Sequence, residues 1–139
     1  MSVGYLLDTN VVSELRKGSR CDPKVRGWHD ALESDSQWIS VLVLGEIRQG
    51  VERLRSKDPV SSAHLEKWLE GLAKGYSSRI LPITAEIADR WGVLNSGNPV
   101  AYVDGFLCAT ALVHNLTLAT RHVKDVSRTG ASYVNPFKV

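Results

Sequence analysis

The stretch YLLDTN, Tyr5 to Asn10, decides how the rest of the chain is read. Val3 to Leu7 is short, almost wholly apolar and without the 3.6-residue period of an amphipathic helix, so it predicts a strand buried on both faces. Strands of that kind belong to parallel sheets covered by helices. Asp8 then stands at the carboxyl end of the strand, where open α/β sheets bind their ligands. A carboxylate closing an apolar strand has two readings, a helix cap or a ligand-binding acid. Asn10 can cap a helix starting near Val11 and running to about Arg16, which leaves Asp8 for the other task.

Working outward, the same alternation continues. Asp22 and Pro23 form a cap and first-turn pair for a helix over 24–33. Gln37 to Ser40, QWIS, reads as a second strand, and 42–55 as a helix with Val43, Ile47, Val51 and Leu54 on one face. A further amphipathic helix covers 61–76, with Leu65, Trp68, Leu69 and Leu72 in its stripe. Ile80 to Pro82 predicts a third strand, and Thr84 starts a helix that the turn-forming NSGNP at 95–99 ends. Tyr102 to His114 is helical, LTLAT at 116–120 is a strand, and 132–134 is a last short strand. Strands alternating with helices predict right-handed crossovers and a mostly parallel sheet in a single α/β domain.

Bulk properties agree with this. At 139 residues, 43% apolar and 23% charged, the chain matches one folded domain. No apolar run approaches a bilayer span and no signal-peptide pattern opens the chain, so no membrane association and a cytoplasmic address are expected. Cys21 and Cys108 fall in no metal-binding spacing and are too few for a disulfide framework. A net charge of +2 neither demands nor excludes a nucleic-acid partner.

Two further acids join Asp8. Glu46 lies at the edge of the apolar stripe of its helix, and the positions three and four residues on are Gln49 and Gly50, which offer it no cation. Asp104 lies early in its helix, just before the small-residue run GFLCATA, where an acid also complements the helix dipole. The predicted topology can bring all three to one edge of the sheet. Carboxylates gathered there repel unless protons or a cation neutralise them. Oxygen donors alone point to Mg2+ or Mn2+, and such an ion activates water for attack on a phosphodiester.

Four stretches, LLDTNVVSEL at 6–15, ISVLVLGEIRQGVERL at 39–54, VDGFLCATALVHNLTLATRHVKD at 103–125 and YVNPF at 133–137, resemble the PIN-domain ribonucleases, and within them the VapC-type toxins of the FitB-like branch. The resemblance implies a three-layer α/β/α sandwich and an Mg2+- or Mn2+-dependent endoribonuclease. It places Asp8, Glu46 and Asp104 as metal-binding catalytic acids, with Asp125 as a fourth acid and Thr9 and Thr120 as side chains that steady them. FitB-like relatives often read T-R-N-x-x-D-F, whereas this chain has His122 in place of the Asn and Val126 in place of the Phe. A homodimer and a cognate VapB-type antitoxin, whose carboxyl-terminal segment lies across the groove, are implied as well. Apolar positions around Val12, Leu15, Trp28, Leu32 and Val51 are candidates for that groove.

Arg121, Lys124 and Arg16 are candidates for holding RNA phosphates, with ordinary surface charge as the competing reading. His122 reads as a surface histidine. The alternative function is a catalytically weak or inactive relative that binds RNA or a partner. A phospho-accepting receiver is excluded, because strand one ends in a single acid and QWIS and ILP offer none. A dinucleotide-binding fold is excluded for want of a G-x-G-x-x-G after any strand.

Overall fold

The computed structural model describes residues 4–139; Val3, assigned to the first strand from sequence, lies outside them. Five strands alternate with seven helices: β1 Tyr5–Leu7, α1 Thr9–Leu15, α2 Pro23–Asp30, β2 Gln37–Ser40, α3 Val41–Arg55, α4 Pro59–Gly75, β3 Ile80–Leu81, α5 Ala85–Leu94, α6 Tyr102–His114, β4 Thr117–Ala119, α7 Val123–Val126 and β5 Tyr133–Val134. The sheet order is β3-β2-β1-β4-β5, with every neighbouring pair parallel.

The pleat sends alternate residues to opposite faces, and the two faces carry separate cores. Leu7, Ile39 and Ala119 pack with Val11, Val25, Val43, Val51 and Leu69 of α1 to α4. Leu6, Leu81 and Leu118 pack with Leu107, Cys108 and Ala111 of α6 and Val126 of α7. The result is the expected three-layer α/β/α sandwich. Leu6 and Leu7 are fully buried, and each contributes roughly 2 kcal/mol of transfer free energy.

The topology fixes where a site can form. From β1 the chain steps outward through β2 to β3, then crosses back to lay β4 on the other side of β1. The order of strands therefore reverses between β1 and β4, and a crevice opens beyond their carboxyl ends. Asp8 follows β1 and Thr120 follows β4, so both sit in that crevice.

Several boundaries differ from those read in the sequence. α1 begins at Thr9 and not near Val11, because Asp8 is its cap: the Asp8 carbonyl accepts from Val11 and Val12 N–H, and its carboxylate accepts from Thr9 N–H. Asn10 lies inside the first turn. α2 ends at Asp30, three residues early, and α7 was not anticipated at all. The caps Asp22, Thr84 and Ser40 each accept a backbone N–H as their residue types favour. α6 is capped by Asn115 in the left-handed region, φ 55°, which lets Leu116 N–H reach back to the Ala111 carbonyl before β4 starts.

The amino end of α6 is set by aromatic packing. Trp91 of α5 stacks on Phe106 at 4.7 Å with rings 6° apart, and on Tyr102 at 5.5 Å. Gly105 permits this approach, since a Cβ there would stand 3.0 Å from the Trp91 indole and 3.1 Å from Asn95 Nδ2.

Candidate active site

Asp8 is 5% exposed at its side chain and is held on all sides. Thr9 N–H donates to Oδ1 at 2.7 Å, while Thr120 Oγ1 donates to Oδ2 at 2.6 Å and Asn10 Nδ2 at 3.2 Å. Burial pushes its carboxyl above the usual carboxylate range; the bond from Thr120 opposes this, and the charge of Asp104 adds to it. Thr120 is fully buried and also accepts the backbone N–H of His122 at 3.0 Å. Asn10 Oδ1 accepts from Arg121 N–H, tying the first turn of α1 to the segment after β4.

Asp104 projects from the first turn of α6 and is 13% exposed at its side chain. Glu46 comes from α3, whose start is fixed by the Ser40 cap, and accepts the Thr9 hydroxyl at 2.5 Å. The absence of a cation within reach on its own helix is thus answered by a hydroxyl from another element. Asp8, Thr9, Asn10, Glu46, Tyr102, Val103, Asp104 and His122 line one open cavity of about 490 Å³.

Sequence reasoning placed His122 on the surface. Its ring is about half exposed, yet Nδ1 lies 3.2 Å from Asp104 Oδ1 and 3.9 Å from Asp8 Oδ2. Donor atoms of Asp8, Asp104 and His122 all fall within 4.8 Å of one another. The one sequence signal was its departure from the T-R-N pattern.

Other candidates stand elsewhere. The Asp125 carboxylate of α7 pairs at 2.9 Å with Arg128, just beyond the end of that helix, and is not among the residues lining the cavity. Arg121 lies over the Phe137 ring at 3.6 Å, Arg16 over Trp68 at 5.7 Å, and Lys124 is exposed on α7. A second groove of about 250 Å³ runs between α1, α2 and α4, lined by Val12, Leu15, Arg16, Arg26, His29, Trp68, Leu72 and Tyr76. Of the apolar positions assigned to a groove from sequence, Val12 and Leu15 line it. Val51 is fully buried in the core, and Trp28 packs edge-on against Tyr5 at 5.2 Å.

Comparison with known proteins identifies the family. The PIN domain family matches residues 5–128. The chain belongs to the PIN-domain family. This PIN domain is 30% identical to toxin FitB of Neisseria gonorrhoeae over 95% of the chain and 97% of that protein. The crystal structure of FitAcB from the same organism superposes with a TM-score of 0.88, covering 97% of this chain and 99% of the other. The VapC ribonuclease Y4jK of Sinorhizobium fredii is 28% identical over 96% and 97% of the two chains. A toxin-antitoxin complex from Klebsiella pneumoniae is similar at 25% identity and a TM-score of 0.74, over 99% and 100%.

In chemical terms, two mostly desolvated carboxylates and an imidazole share a few ångströms in one open cavity. Charges so placed are relieved by a proton or by a counter-charge. The donor set fits a divalent cation: carboxylate oxygens fixed by Thr120, Thr9 and Asn10, with open cavity beside them.

Proposed function

We propose that this PIN domain is the toxin of a toxin-antitoxin pair and a divalent-metal-dependent endoribonuclease, acting with Mg2+ or Mn2+. The carrying observation is the meeting of Asp8, Asp104 and Glu46 in one cavity at the strand-order reversal, in a chain similar to a VapC ribonuclease.

Asp8 and Asp104 would hold the ion. When bound, it would polarise a water and stabilise the negative charge that builds on the phosphodiester and on the leaving oxygen as the P–O bond breaks. Glu46, fixed by the Thr9 hydroxyl, orients the attacking water and takes its proton. Thr120 and Asn10 favour the ionised form of Asp8 against its burial and hold it correctly turned through charge-assisted hydrogen bonds. The Asp125 carboxylate, paired with Arg128, reaches the reaction only through water or a change in the α7 segment. Lys124 and the edges of Arg121 and Arg16 left by their aromatic neighbours hold phosphates of the RNA strand.

The groove between α1, α2 and α4 accepts the carboxyl-terminal segment of a VapB-type antitoxin, with Leu15, Trp68 and Leu72 taking its apolar side chains. The toxin assembles as a homodimer, which light scattering on the purified chain tests. The test of the activity is incubation with structured and unstructured RNA in Mn2+, Mg2+ or EDTA, using the parent and Asp104→Asn. Metal-dependent cuts lost in the variant support the reading. Cuts that persist in EDTA or in the variant refute it, and RNA bound but uncut in both metals identifies a binding module instead.

A further inference from the structure

Resting on that reading, we propose that His122 is itself a ligand of the ion, so that the site binds through one imidazole nitrogen as well as carboxylates and favours Mn2+ and Co2+ over Mg2+. Three observations meet here. His122 Nδ1 faces both acids, at 3.2 Å from Asp104 Oδ1 and 3.9 Å from Asp8 Oδ2. An octahedral ion at ~2.1 Å from its ligands spaces neighbouring donors about 3 Å and opposite donors about 4 Å apart, and the two distances fall within that span.

The backbone of His122 is also anchored by the same group that positions the acid. Thr120 Oγ1 donates to Asp8 Oδ2 and accepts the backbone N–H of His122, so one buried hydroxyl ties the carboxylate to the main chain that carries the ring. Finally, the position departs from the Asn of the T-R-N pattern that this chain otherwise follows. Asn offers a hard amide oxygen, whereas imidazole is a softer nitrogen donor that strengthens binding of first-row transition ions relative to Mg2+.

The rival arrangement is an imidazolium that merely balances the two acids and leaves when the ion enters. The two differ in what surrounds the bound metal. Mn2+ binding to the full-length parent and to His122→Asn is followed by electron paramagnetic resonance, with nitrogen coupling read by spin-echo modulation and Mg2+ added as competitor. His122 is about half exposed at its side chain, so the variant keeps the fold, which a melting curve in EDTA verifies.

The proposal expects nitrogen modulation from one imidazole in the parent and none in the variant, with the Mn2+ over Mg2+ preference falling roughly tenfold. Equal preference in both proteins without nitrogen modulation overturns it and leaves His122 as a counter-ion. Failure of both proteins to bind either ion overturns the metal-dependent reading itself, a different outcome from loss of the imidazole alone.

Discussion

Replacing Asp8 with asparagine should stabilise the metal-free protein while destroying its site. The donor atoms of Asp8 and Asp104 lie within 4.8 Å, and two carboxylates at that separation repel by about 3 kcal/mol at an effective dielectric constant of 20. Asp8→Asn removes that term. It keeps one acceptor for Thr9 N–H or Thr120 Oγ1 but turns a donor toward the other, a loss of about 1 kcal/mol. The net gain of about 2 kcal/mol corresponds to a rise of roughly 6 °C in Tm. The assay is calorimetric melting in EDTA at pH 8, repeated with Mn2+.

The pH dependence has a definite sign. Burial raises the folded carboxyl of Asp8, so the native state holds its proton more tightly than the unfolded chain. Stability from this group is present below the unfolded value and is lost as pH rises through the raised one. The advantage of Asp8→Asn is therefore small in acid and grows toward neutral pH. With saturating Mn2+ the parent gains stability and the variant does not. A metal-free variant melting at or below the parent at pH 8 would refute the reasoning, because the acids would then not be in conflict.

Three further outcomes are expected. Thr120→Val, nearly isosteric, removes the 2.6 Å bond to Asp8 and should weaken Mn2+ binding about 10- to 100-fold by titration calorimetry while far-UV circular dichroism is unchanged. Asp125→Asn should leave RNA cleavage within about threefold of the parent in a fluorescent substrate assay, since its carboxylate is engaged by Arg128 on a surface where such pairs are worth under ~1 kcal/mol. Gly105→Val drives a side chain into the Trp91 indole and Asn95 and should cost about 2 kcal/mol, read as a lowered denaturation midpoint in urea.

What the sequence disclosed depended on the range of the interaction. Local signals were legible: QWIS is β2 residue for residue, the Tyr102–His114 helix is α6, and the Asp22-Pro23 pair opens α2. Asp8 and Asn10 are equally good caps by type, so choosing between them needed the tertiary bond from Thr120 that fixes the Asp8 carboxylate. α7 is four residues long and shows no period. The meeting of Asp8, Glu46 and Asp104 followed from topology and family likeness together. His122 escaped because its neighbours arrive from β1 and α6, and nothing adjacent in sequence marks a half-exposed histidine as facing two acids.

The bond between Thr120 and Asp8 closes a loop of 112 residues, and this bears on how the protein is made. β1 is the central strand, yet one of its two partners is β4, and Asp8 N–H itself donates to the Ala119 carbonyl. A nascent chain can form α1 to α4 against one side of β1 early, but the other flank stays open until residues near 120 have been synthesised. Before then Asp8 lacks its hydroxyl donor, Asp104 has no fixed place, and the cleft does not exist. If the domain is the toxin proposed, growing chains on the ribosome are harmless to the messages around them, and a new chain can first cut only after β4 is complete.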